Sequence, residues 1–276
     1  MDSARPFDLS WRSGAAAHGV RLCEYGDGVP VFLFPGMEGS GESCLHLAVP
    51  VIQRAAAVGQ PYKLVLVDYS QEAHGTLDQL VATAHGLIRD AAAGARCVVW
   101  GQSFGNLLAT GVVGSGAIVC HRLVLVSPFT ALSTVMTGLS MASLFVTPTF
   151  LYRASSGLLG RYMFGPVGDQ AQHPFFDALR QATPHTVRRR TSWLYRHDFS
   201  QRFRDTPAPT KVWLGKEDRL VNLEQQQTFF ATLTMQRRDY ALSMIEGSGH
   251  VLLPRHLILS VCDEIFRWLT EADTAK

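Results

Sequence analysis

The sequence predicts an α/β protein whose mostly parallel sheet is covered by helices on both faces. Continuous apolar runs of strand length recur along the chain, among them VPVFLF (29–34), KLVLVDY (63–69) and RLVLVSPF (122–129). Helix-like segments separate them, as in residues 76–93, where Leu77, Leu80, Val81, Ala84, Leu87 and Ile88 share one stripe. The chain has 276 residues, 47% hydrophobic and 17% charged, enough to bury a large sheet between helical layers. Strands that are apolar throughout are those buried on both faces, and helical crossovers between them run them parallel.

The elements follow in order. FDLSWRSG (7–14) and VRLCEYG (20–26) read as an antiparallel pair at one sheet edge. VPVFLF ends in Pro35-Gly36 and leads to a helical stretch around 43–57, before KLVLVDY and the helix over 76–93. CVVW (97–100) runs straight into GQSFG, and the helix that follows carries Leu107, Leu108 and Val112. After RLVLVSPF, the strands KVWLG (211–215) and YALSMIEG (240–247) close the series, and a last helix spans 257–269. Between Phe129 and Thr210 there is no strand signal, only apolar sequence broken by Pro148, Gly157, Gly160, Pro166, Pro174 and Pro184. A structureless insertion of that length is unusual, so residues 131–206 read as a helical cap between two parts of one core, 1–130 and 207–276.

Charge and cysteine content exclude several classes. A net charge of +2 gives no reason to expect nucleic acid or an acidic partner. The one basic cluster, Arg188-Arg189-Arg190, reads as a solvated helix face. Five scattered cysteines without a C-x-x-C form neither a disulfide framework nor a metal site, and Cys97 and Cys120 read as small core residues. The first residues lack the apolar core of a secretory signal, so a reducing cytoplasmic setting is expected. Residues 123–152 carry no charge, and length alone would fit a membrane span. Their Ser, Gly and Pro punctuation, and the strand character of LVLV, argue for a soluble fold with no stable span.

The strongest chemical signal is Gly101-Gln102-Ser103-Phe104-Gly105, placed between a buried strand and a helix. That context suits a nucleophile elbow: the tight turn needs small residues on either side, and the helix N-terminus aims free N–H groups at the reacting carbonyl. A serine hydroxyl needs a base to take its proton. His250, in Gly247-Ser248-Gly249-His250 between the last strand and the last helix, is the best-placed histidine. The base in turn needs a carboxylate to fix its tautomer. Asp218, just past KVWL, is the choice; Glu217 beside it is the rival, and Asp68 is a weaker alternative. The Ser127-Pro128-Phe129 loop offers no carboxylate. For the oxyanion hole, the donors chosen are the backbone N–H of Phe104 and that of Met37, in the loop Pro35-Gly36-Met37-Glu38-Gly39-Ser40-Gly41. This loop has no nucleotide-binding glycine pattern.

VFLFPG, GQSFG, GKED and GSGH, in that order and with a cap-sized insertion before the third, resemble the α/β-hydrolase superfamily over nearly the whole chain. The resemblance implies an eight-stranded, mostly parallel sheet, a Ser…Asp…His order of catalytic residues and no metal or organic cofactor. The chain departs from the common pattern in three places. Pro35-Gly36 stands where many members have His-Gly, Asp68-Tyr69-Ser70-Gln71-Glu72-Ala73-His74 replaces D-x-R-G-x-G-x-S, and Asn106 follows Gly105 where Gly or Ala is common. LFPGMEGSGES, TLDQLVATAHGLI and GQSFGNLLA are also similar to thioesterase domains of peptide and polyketide synthases, although in that group the acid usually follows the strand before the lid. The expected activity is hydrolysis of a carboxylic ester with an apolar acyl or alkyl group. The alternatives are an acyl thioesterase or acyltransferase, with an acyl carrier as a further partner, and a non-catalytic binding protein on the same fold. In the cap, Leu144 and Phe145 are the candidate substrate contacts, within the uncharged stretch 136–152.

Overall fold

The computed structural model describes residues 12–132, 178, 181–195, 197–250 and 255–270. Eight strands form one sheet: β1 (Arg12–Ala17), β2 (Val20–Tyr25), β3 (Val29–Phe34), β4 (Tyr62–Asp68), β5 (Arg96–Gln102), β6 (Val119–Val126), β7 (Thr210–Gly215) and β8 (Tyr240–Ile245). Their spatial order is β1-β2-β4-β3-β5-β6-β7-β8. β1 pairs antiparallel with β2 and β2 antiparallel with β4, and every other pairing is parallel. The eight-stranded, mostly parallel α/β-hydrolase sheet expected from the sequence is therefore present.

The first strand lies slightly later than the sequence suggests. β1 includes Ala15, Ala16 and Ala17, and it turns into β2 through His18 and Gly19, both at positive φ (48° and 77°). Two consecutive left-handed residues give the hairpin turn whose twist matches the strands it joins. Residues 7–11 of the expected strand lie outside the described residues.

Helices cover both faces. On one side lie α1 (Leu45–Ala57), which follows a short 3₁₀ turn at Gly41–Cys44, and the C-terminal α7 (Arg255–Thr270). They pack with Val31, Leu33, Leu64, Trp100 and Trp213 from the sheet in one buried cluster. On the other side lie α2 (Leu77–Ala92), α3 (Gly105–Gly114), α4 (Pro184–Leu194), α5 (Ser200–Arg204) and α6 (Leu223–Gln236). Their buried side chains join Phe32, Phe34, Val65, Val99 and Leu125 in a second cluster. Alternate residues of each strand thus feed opposite cores, as the two-sided apolar runs require. α2 begins where the sequence expects: the Thr76 side chain accepts the Gln79 N–H, and the Gln79 side chain reaches back to the Gly75 N–H.

Leu123–Val126 is a buried strand. Among the described residues, no helix is long and apolar enough to cross a membrane. Residues 133–177, which hold most of the expected cap and both Leu144 and Phe145, lie outside the described residues. The C-terminal part of the expected cap is described, and Leu194, Phe199 and Phe203 sit in the same core as the sheet. All five cysteines are free thiols, and burial pushes Cys97 and Cys262 up to about 12.

Candidate active site

β5 ends at Gln102, and α3 begins at Gly105. Ser103 occupies the corner with φ of +52°, a left-handed conformation that costs a non-glycine residue energy and that its surroundings must enforce. The Ser103 N–H donates to the Val126 carbonyl at 2.9 Å, anchoring the corner to β6. Asn106 supplies a second anchor. Its buried side-chain amide donates to the Ser103 carbonyl at 2.8 Å and to the Val126 carbonyl at 2.9 Å. The sequence departure at position 106 is thus a double donor that ties the turn to the neighbouring strand. Both flanking glycines are forced by close approach. A Cβ on Gly101 would lie 2.7 Å from Asn106 Cα, and one on Gly105 would overlap the carbonyl oxygens of Phe34 and Pro35. The second contact seats the start of α3 directly against the loop after β3.

His250 and Asp218 arrive from the ends of β8 and β7. The Ser248 carbonyl accepts the Glu217 N–H at 2.9 Å, so the two loops are tied together. Gly215 lets them close, because a Cβ there would overlap the carbonyl oxygens of Ser248 and Gly249. His250 Nε2 lies 2.7 Å from Ser103 Oγ, and His250 Nδ1 lies 2.7 Å from Asp218 Oδ2. A carboxylate only accepts, so Nδ1 carries the proton and the neutral ring turns its Nε2 lone pair toward the serine hydroxyl. Asp218 Oδ1 is held by the N–H groups of Leu220 at 2.8 Å and Val221 at 3.3 Å. His250 and Asp218 are buried, whereas Ser103 is half-buried and reachable. Glu217, the rival acid, is exposed. Asp68 is engaged elsewhere, with Arg21 and Ser70.

The loop after β3 is fixed one peptide plane at a time. The Gly36 N–H donates to a Glu38 carboxyl oxygen at 3.0 Å, and that oxygen also accepts from Ser43 Oγ. The Gly36 carbonyl accepts from the Tyr69 hydroxyl at 2.9 Å and from the Gly39 N–H at 3.1 Å. The Tyr69 hydroxyl also donates to the Pro35 carbonyl. In a trans peptide the C=O and N–H point in opposite directions. Holding the Gly36 carbonyl on the Tyr69 side therefore turns the Met37 N–H the other way. Among the described residues, neither the Met37 nor the Phe104 N–H has a hydrogen-bond partner. Burial holds the Tyr69 phenol well above its ordinary pKa, against the pull of Arg190, so it stays a donor. Burial also raises the Glu38 carboxyl, against the hydrogen bonds it accepts and the charge of Arg190.

The arginine cluster requires correction. Arg190 is not on a solvated face: it is fully buried, and Arg189 is half-buried against Glu72. The acid that neutralises the pair, Glu72, lies 118 positions from Arg190 in the chain and meets it only in the fold. Tyr69 and Glu72 fall in the segment where the sequence leaves the common superfamily pattern. That departure was the signal available for this buried network, and it named no role for either residue.

The sequence profile of the alpha/beta hydrolase family matches residues 9–257, and the chain belongs to that family. No curated protein matches it. Among solved structures, a bromoperoxidase from Bacillus anthracis superposes with a TM-score of 0.71 at 16% identity, over 94% of this chain and 98% of the other. A carboxylesterase from Bacillus subtilis gives 0.71 at 16% identity, over 96% and 93%. An esterase from Rhodococcus gives 0.69 at 17% identity, over 94% and 98%. At such identities the likeness is one of fold.

Proposed function

We propose that this chain is a serine hydrolase that cleaves a carboxylic ester with an apolar acyl or alkyl group. The observation that carries the reading is the continuous hydrogen-bonded line Ser103–His250–Asp218, with 2.7 Å at each step. In the proposed sequence His250 Nε2 takes the hydroxyl proton as Ser103 Oγ bonds to the ester carbonyl carbon. The carbonyl electron pair moves to oxygen, where the N–H groups of Met37 and Phe104 stabilise the charge. Collapse breaks the ester C–O bond, and His250 returns the proton to the departing alcohol. Water then repeats the cycle on the acyl-serine, releasing the acid and free Ser103. Asp218 orients the ring and stabilises the imidazolium throughout.

The placement of the acid sets the chain apart from the synthase thioesterase domains it resembles. Asp218 follows β7, whereas β6 runs into Ser127-Pro128-Phe129 without a carboxylate. The apolar preference rests on the composition of residues 136–152, with Leu144 and Phe145 the proposed contacts. The test is fluorophosphonate labelling mapped to Ser103, followed by turnover of matched p-nitrophenyl esters and acyl thioesters of increasing chain length. Labelling at Ser103 with ester turnover is expected. Labelling with turnover of thioesters alone would move the assignment to the thioesterase, and no labelling would leave a binding protein.

A further inference from the structure

Helix α4 reaches the loop that carries Met37 through one side chain. The Arg190 guanidinium donates to the Met37 carbonyl, to the Tyr69 carbonyl at 2.5 Å and, through Nε, to Glu72 Oε1 at 3.1 Å. Its plane lies over the Tyr69 ring, 4.9 Å from the centroid. Arg189 donates to the same carboxylate oxygen at 2.6 Å and to the Glu72 carbonyl at 2.7 Å. The other Glu72 oxygen accepts the His74 N–H at 2.8 Å. Gly39 leaves the space the guanidinium needs, since a Cβ there would come within 2.8 Å of Arg190 Nη1. Arg190 and Glu72 side chains are fully buried, a costly arrangement that is retained only when every donor and acceptor is directed.

We propose that Arg190, clamped by Glu72, is a positioning residue for the oxyanion hole. It fixes the Met37–Glu38 peptide plane directly, and it fixes the Gly36–Met37 plane by locking Tyr69, whose hydroxyl holds the Gly36 carbonyl. Both planes that flank the Met37 α-carbon are then set from α4, a helix outside the sheet and its triad loops. A planar fork with several directed donors can do this, and a lysine ammonium cannot. The inference rests on the reading of Met37 as an oxyanion donor.

The experiment compares wild type with Arg190→Lys and Glu72→Gln on a short p-nitrophenyl ester, with thermal melts to establish folding. It also measures binding of an alkyl trifluoromethyl ketone, which forms a tetrahedral adduct on the serine. Folded Arg190→Lys is expected to lose about 10²-fold in kcat with KM within about threefold, and adduct affinity should fall by a similar factor. Glu72→Gln is expected to lose about tenfold in kcat, by loosening the clamp. Wild-type kcat and adduct affinity in folded Arg190→Lys, or a loss confined to KM, would overturn the proposal. If Arg190→Lys does not fold, Glu72→Gln decides, and an unchanged kcat there overturns it. A wild-type enzyme that neither labels nor turns over would instead overturn the hydrolase reading itself.

Discussion

His250 Nε2 sits 2.7 Å from Ser103 Oγ although 147 positions separate the two residues. Ser103→Ala removes the proposed nucleophile and is expected to cut kcat on a p-nitrophenyl ester by about 10⁴-fold or more. His250→Ala should cost a similar factor. The double variant should be little worse than either single one, because in the proposed mechanism the two groups act in one step. Steady-state kinetics on the three proteins checks this. Residual activity above a tenth of wild type in Ser103→Ala would place the chemistry elsewhere.

Asp218 and Glu217 are neighbours with different surroundings. Asp218 is buried, faces the imidazole and is held by two backbone N–H groups; Glu217 points to solvent. Asp218→Asn can present an N–H to Nδ1 and favour the wrong tautomer, so a loss of about 10³–10⁴-fold in kcat is expected. Glu217→Gln should stay within about threefold. The reverse ranking would assign the acid to Glu217.

The three residues of the proposed triad could be picked out of the sequence because each sits in a short segment whose backbone has a local task. GQSFG must turn sharply and let α3 touch Pro35, GKED must end a strand, and GSGH must approach Gly215. Such demands leave glycines at fixed offsets, and these can be read without the fold. The oxyanion loop's supports carry no local mark. Arg190 meets Glu72 and Tyr69 across more than a hundred positions, so its charge reads as solvated until the chain is folded. α6 carries no such mark for a related reason. Only Gln226, Phe230 and Leu233 of its 14 residues are buried, too few to write a stripe into the sequence.

Gly215 lies where the acid loop and the histidine loop touch. A methyl group in Gly215→Ala would overlap the Ser248 and Gly249 carbonyls, one residue before His250. Relief must come by moving that loop, which lengthens the His250–Asp218 contact or swings the ring from Ser103. A misplacement of about 1 Å can cost on the order of 10²-fold in rate. Gly215→Ala is expected to show that loss in kcat while its fluorophosphonate labelling slows in parallel. A folded variant with wild-type kcat would show that the loop does not depend on this close approach.

Glu38 ties the loop after β3 by a different chemistry, and its pH dependence has a defined sign. Burial raises its carboxyl above the ordinary value of 4.5, against the hydrogen bonds from Ser43, its own N–H and Gly36 and the charge of Arg190. Above 4.5 the unfolded chain loses this proton while the folded chain keeps it, so stability falls as pH rises toward the folded pKa. The slope is at most about 1.4 kcal/mol per pH unit. Glu38→Gln keeps an oxygen to accept from Gly36 and Ser43 but has no proton to lose. The variant should therefore gain stability relative to wild type as pH rises from 4 to 8, with all other titrating groups cancelling in the comparison. Urea unfolding of both proteins at the two pH values measures the difference directly. An equal difference at both would mean that Glu38 ionises alike in the folded and unfolded chains, and that the loop is held by a carboxylate charge rather than a buried acid.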